Sequence, residues 1–174
     1  MAGDRRAVAP WLATAARLVV GAVLVVAGGL KLPDPAAAER AVRAYRLLPE
    51  GLVPAAAFGL PVLEIAVGLA LLAGVFVRTA AIGSAVMLAG YIAAIGSVWA
   101  RGLSIDCGCF GGGGQVAAGQ TNYAGEIARD AALLLVALAL ARWPRSRLAL
   151  GTALGGEHAH DELMHPQREA SRAR

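Results

Sequence analysis

Cysteine is scarce in this chain, which has two among 174 residues. Two sulfurs cannot build a disulfide scaffold or a four-cysteine zinc site, so they suit a single redox pair. Aromatic residues are also few, at 5%. Without a platform of interleaved aromatic and basic side chains, the formal charge of +4 points to anionic lipid headgroups and not to nucleic acid. Charge of either sign is sparse too. Charged residues make up 16% and hydrophobic ones 57%, whereas a soluble domain carries about 25% and about 45–50%. There is no long-period repeat.

The apolar excess falls in four runs, each close to the roughly 20 residues that cross a bilayer as a helix. They predict helices over residues 11–30, 52–77, 79–100 and 123–143. The first run is longer than a signal-peptide core, lacks a clean A-x-A site and ends in Lys31-Leu32-Pro33-Asp34, so it is expected to be retained. Pro33 and Pro35 end it. Ala36 to Leu48 predicts a short amphipathic surface helix, with Arg40, Arg43 and Arg46 on a solvated face, closed by Pro49-Glu50-Gly51. Arg78 marks a tight turn between the second and third runs. Gly21 and Gly28 recur at seven residues, as do Gly83, Gly90 and Ser97. Such stripes let membrane helices approach closely. The fold expected is all-α: a four-helix transmembrane bundle over 11–143, after a polar tail at 1–10. A Gly/Cys-rich loop separates helices 3 and 4. A disordered tail follows at 144–174.

Four crossings put both termini on one side. That side holds Arg5, Arg6, Arg78, Arg142, Arg145 and Arg147 near helix ends, against Lys31, Arg40, Arg43, Arg46 and Arg101 opposite. The positive-inside rule then favours cytoplasmic termini in a plasma (inner) membrane. The loop with both cysteines lies outside, where disulfides persist.

That loop reads Asp106-Cys107-Gly108-Cys109-Phe110-Gly111, with glycine continuing to Gly114. A disulfide across one residue closes a small ring, and Gly108 supplies the backbone freedom it needs. Strained, exposed disulfides are the oxidising, labile ones, so the pair suits thiol exchange with another protein. An inert clip or two free thiols is the plainer reading. Soft-metal binding such as Cu(I) is a third, but nothing nearby looks like a third ligand, so no metal and no cofactor are expected. The charge of Asp106 raises the thiol pKa. Arg129 lowers it if helix 4 starts beside the loop; otherwise Glu126, Arg129 and Asp130 satisfy one another. Glu64 lies about twelve residues into its apolar run, roughly 18 Å along the axis. An ionisable group at that depth marks a functional site by default. It is protonated, paired with Arg17, or held in a structural hydrogen bond. His158, His160 and His165 in the tail read as solvated more readily than as metal-binding.

These residues resemble a family pattern. Arg17 with Gly21, Gly29-Leu30-Lys31-Leu32, Pro61 to Gly68 around Glu64, Cys107-Gly108-Cys109-Phe110-Gly111 and Arg129-Asp130 are similar to the MauE family, within the broader DoxX-like group of four-helix membrane proteins. The resemblance covers roughly residues 11–143. It implies a multi-pass membrane protein linked to methylamine metabolism. The task assigned to that family is helping to mature a disulfide-rich dehydrogenase subunit alongside a thioredoxin-like partner. The function expected is therefore disulfide exchange by Cys107 and Cys109 with an extracytoplasmic thioredoxin-like protein. A non-catalytic assembly partner is the alternative and copper handling the third reading. A quinone-linked relay with two cysteine pairs does not fit one pair, so a partner or cofactor must complete the electron path.

Overall fold

A computed structural model describes residues 3–109, 111–117 and 119–143, with side chains from Pro10 onward. The expected tail at 144–174, with its three histidines, lies outside the described residues. Among the described residues five α-helices run in chain order: α1 Gly3–Lys31, α2 Pro35–Tyr45, α3 Val53–Ala73, α4 Val77–Ala100 and α5 Tyr123–Arg142. Three segments of these residues are long and apolar enough to cross a membrane: Pro10–Lys31, Glu50–Ala73 and Val77–Ala100. The fourth long helix, α5, carries Glu126, Arg129, Asp130 and Arg142.

Three boundaries differ from the sequence reading. Helix α1 starts at Gly3, inside the expected polar tail, because Arg and Ala there are good helix formers. The turn after α3 lies at residues 74–76 and not at Arg78. Gly74 caps α3 at φ 72°, a left-handed conformation that glycine adopts without a Cβ penalty. Arg78 is already inside α4. The surface helix α2 begins on Pro35, with Asp34 accepting from the Ala37 amide at 2.9 Å, which satisfies an orphan N–H. It ends at Tyr45, and Arg46 becomes its left-handed cap. Arg40 and Arg43 make exposed ion pairs with Asp34, Glu39 and Glu50. The opposite face of α2 buries only alanines: Ala37, Ala38, Ala41 and Ala44.

Helices α1 and α3 pack antiparallel through glycine. A Cβ on Gly68 would stand 2.7 Å from the Gly21 carbonyl oxygen, and one on Gly28 would stand 2.6 Å from that of Pro61. The helix 1 stripe thus sets the register of α1 against α3. The second stripe does not act this way, since nothing lies within 4 Å of a Cβ on Gly90. Gly68→Val is therefore expected to lose about 1–3 kcal/mol or more, because the clash is with backbone that cannot rotate away. Gly90→Val should be near neutral. Monodispersity after heating in detergent checks the pair, and equal behaviour of the two variants would contradict the packing.

One buried cluster, from Val20 and Leu24 of α1, Leu71 of α3, Ala80 and Ala81 of α4 and Leu140 of α5, fills the end near the 74–76 turn. Another fills the opposite end, where Ala44, Ile95, Val98, Ile105 and Tyr123 meet, with Cys107 and Cys109 packed against them. Large apolar side chains such as Phe58, Leu63, Val86 and Leu135 are exposed around the outside. That is the inverse of a soluble surface, where charge dominates.

Candidate functional site

Between α4 and α5 the chain forms a two-stranded ribbon, β1 Ile105–Asp106 antiparallel to β2 Gly114–Gln115. The cysteines lie in the excursion between these strands. Gly108 has φ +66° and Gly113 φ +100°, conformations that only glycine adopts at low cost. A Cβ on Gly113 would meet that of Ala41 at 2.5 Å. The excursion therefore sinks onto α2 because both surfaces there are small. Polar anchors hold it. Tyr45 donates its hydroxyl to the Cys107 carbonyl at 3.1 Å. The Asp106 carboxylate accepts from the Gly108 amide at 3.0 Å. Tyr123 accepts from the Ile105 amide at 3.0 Å and donates to the Leu103 carbonyl.

Both cysteines are free and half-buried. The Cys107 thiol donates to the Cys109 sulfur at 2.9 Å, and the Cys109 amide donates back to the Cys107 sulfur at 3.4 Å. The two sulfurs are not equivalent. The hydrogen bond that Cys107 donates holds its own thiol well above the usual range, reinforced by burial, by charge on Cys109 and by Glu126. The same bond pulls Cys109 down. Burial and Asp130 oppose that shift, and the cations of Arg129 and Lys31 assist it. Cys109 is thus the more acidic sulfur of the pair and Cys107 the less acidic. Arg129 pairs with Asp130 at 2.9 Å, and its charge also favours the ionised form of Cys109. Asp106 is exposed and turned to the Gly108 amide. The carboxylates that act on the sulfurs are Glu126 and Asp130.

Glu64 is 1% exposed, and its partner is not Arg17. Lys31 donates to its two oxygens at 2.6 and 2.8 Å, and Tyr91 donates to Oε1 at 2.6 Å. The Lys31 ammonium also lies 5.5 Å from the centre of the Tyr91 ring. Arg17 is buried fourteen residues before Lys31 in α1, about 21 Å along the axis. The register set by Gly28 against Pro61 places Glu64 toward the Lys31 end, out of reach of Arg17. Three hydrogen bonds from two donors on one buried carboxylate are what such a charge requires inside a membrane segment.

Lys31, Tyr91, Tyr45, Cys107 and Cys109 all line one cavity of about 440 Å3. The ion-pair cluster and the thiol pair are therefore two parts of one site. Lys31, Tyr91 and Glu126 are the residues that sequence reasoning missed. Lys31 looked like an ordinary charge at a helix end. Tyr91 offered a usable signal, as the one ionisable side chain in an uncharged run. Donor atoms of Asp106, Cys107 and Glu126 lie within 4.8 Å of one another, so carboxylates do stand near the sulfur where no third ligand was expected. They are hard oxygen donors, ill matched to Cu(I).

Three apolar helices long enough to span a bilayer, an outward face of large apolar side chains and a polar site gathered at one end define a multi-pass integral membrane protein in contact with lipid. The chain belongs to the MauE family: the family model described as methylamine utilisation protein MauE matches residues 9–143. No curated protein and no solved structure matches it.

Proposed function

We propose that this protein is a four-helix transmembrane bundle of the plasma membrane with cytoplasmic termini, and that Cys107 and Cys109 form a disulfide that oxidises an extracytoplasmic thioredoxin-like protein. The unequal pair of sulfurs 2.9 Å apart is the observation that carries this reading. A partner thiolate attacks the Cys107 sulfur, the Cys107–Cys109 bond breaks, and Cys109 leaves as a thiolate. The lower-pKa sulfur is the better leaving group, and Arg129 and Lys31 favour its charge. The partner's second thiol then displaces Cys107. The partner gains the disulfide, and this chain is left with two reduced sulfurs. Disulfide maturation linked to methylamine metabolism is the setting that the family description suggests.

A crossing by α5 is supported by its outer face, where Leu135 and Leu138 are exposed while Asp130 is 3% exposed. Three of its four charges, Glu126, Arg129 and Asp130, gather in the first turns beside the cysteines, and the stretch from Ala131 to Ala141 is uncharged. A membrane-impermeant maleimide should label the cysteines of intact cells after a reducing treatment. Labelling only after lysis would reverse the orientation and remove the extracytoplasmic partner from the account.

A further inference from the structure

The proposed reaction leaves Cys107 and Cys109 reduced, and the chain has no other cysteine to take their electrons. An external two-electron acceptor must regenerate the disulfide, and the cavity beside the sulfurs indicates which kind. It holds about 440 Å3 and is walled mainly by apolar side chains from α1, α2, α3 and α4. That is within the roughly 300–1,000 Å3 typical of small-molecule sites. Among its lining residues, Leu30, Leu47, Leu48 and Leu60 are also exposed, so much of the rim is apolar where it meets the outside. Such a rim on a membrane protein gives an oxidant dissolved in lipid a way into the cavity. The polar groups that line it are the Lys31 ammonium, the Tyr91 and Tyr45 hydroxyls and the two sulfurs, with the exposed Asp34 and Arg40 at its outer edge.

We infer that this cavity binds the head group of a membrane isoprenoid quinone, which accepts the electrons of Cys107 and Cys109. The inference rests on the disulfide-exchange reading and supplies its electron acceptor. A quinone ring has the flat apolar body the walls fit and carbonyl oxygens, one of which can accept from the third Lys31 N–H, the one not given to Glu64. Its prenyl tail passes between the rim leucines into lipid. The atoms balance. The Cys109 thiolate and the Cys107 thiol lose two electrons in all and join as a disulfide. The quinone gains those two electrons. One proton reaches it from the Cys107 thiol, and a second comes from solvent by way of Lys31, whose buried partners Glu64 and Tyr91 form the remaining members of that hydrogen-bonded cluster.

The test uses the full chain, purified, reduced and held in nanodiscs without oxygen. Ubiquinone-1 is added, and thiol loss and quinone reduction are followed together. One quinone should be reduced for every two thiols lost, with saturation in quinone. Ala94→Phe fills the cavity from α4 without touching the sulfurs, and should slow this reaction at least tenfold. Its exchange with glutathione disulfide should stay within twofold of the unaltered chain. Ala56→Trp fills the cavity from α3 and serves if Ala94→Phe does not insert. Normal glutathione exchange with no quinone reduction would overturn the inference and leave the disulfide reading standing. Failure of both reactions would sink that reading as well. Undiminished quinone reduction by both filled variants would show that the cavity is not the site and holds a lipid chain instead.

Discussion

Cys109→Ser, with its remaining thiol reduced and mixed with the disulfide form of the thioredoxin-like partner, is expected to accumulate a covalent adduct that reductant dissolves. Cys107→Ser should form almost none. The difference follows from the roles of the two sulfurs. Run in reverse, the proposed transfer begins with Cys107 attacking the partner's disulfide, whose second sulfur leaves as a thiolate. In the unaltered chain Cys109 stands 2.9 Å away and returns to displace the partner. Serine at 109 cannot return, so the mixed disulfide persists. Serine at 107 leaves only the sulfur that faces Lys31 and Arg129. Arg129→Ala should slow disulfide transfer, since it removes a cation that favours the departing thiolate. Non-reducing gels of each variant show the outcome. If neither single variant traps anything and the double variant still supports its pathway, the cysteines are incidental. The chain is then a non-catalytic assembly partner.

The second large effect belongs to the buried ion pair. Lys31→Met leaves the Glu64 carboxylate 1% exposed without its cation, and should cost about 3–5 kcal/mol of stability, the usual penalty for a stranded buried charge. Glu64→Gln should cost less, because glutamine keeps the shape and can still accept from Tyr91, while Lys31 has some access to solvent. Combining Lys31→Met with Glu64→Gln should recover much of the loss from Lys31→Met, since no charge is then buried. Thermal midpoints in detergent measure all three. A Lys31→Met variant as stable as the unaltered chain would mean that Glu64 has another partner.

The contrast between Lys31 and Arg17 shows where sequence reading stops. Both cations belong to the first apolar run, and Arg17 shares a helical face with Gly21, the glycine that meets α3. Composition could not choose between them. Depth decided, and depth comes from the α1–α3 register, which the glycines fix only once both helices are placed together. The long helices were legible because apolar runs of bilayer length have few other uses. Their boundaries were less so. Gly74 ends α3, but glycine is common within membrane helices, so Arg78 looked like the more natural break. The cysteine pair stood out at once as the chain's only sulfurs of their kind. Its asymmetry did not, because it is set by the hydrogen bond between the two sulfurs and reinforced by burial and by Glu126, Arg129 and Lys31, which three-dimensional packing brings from two other elements.

The central claim is that Cys107 and Cys109 act as one two-electron couple. Equilibrating the purified chain in glutathione redox buffers, and counting alkylated thiols by mass at each ratio, tests it most directly. Both thiols should disappear together, with the dependence on buffer ratio expected of a two-electron couple and a midpoint above the roughly −300 mV below which structural disulfides lie. Two thiols that stay alkylatable under the most oxidising buffer, or that acquire glutathione independently without bonding to each other, would contradict it.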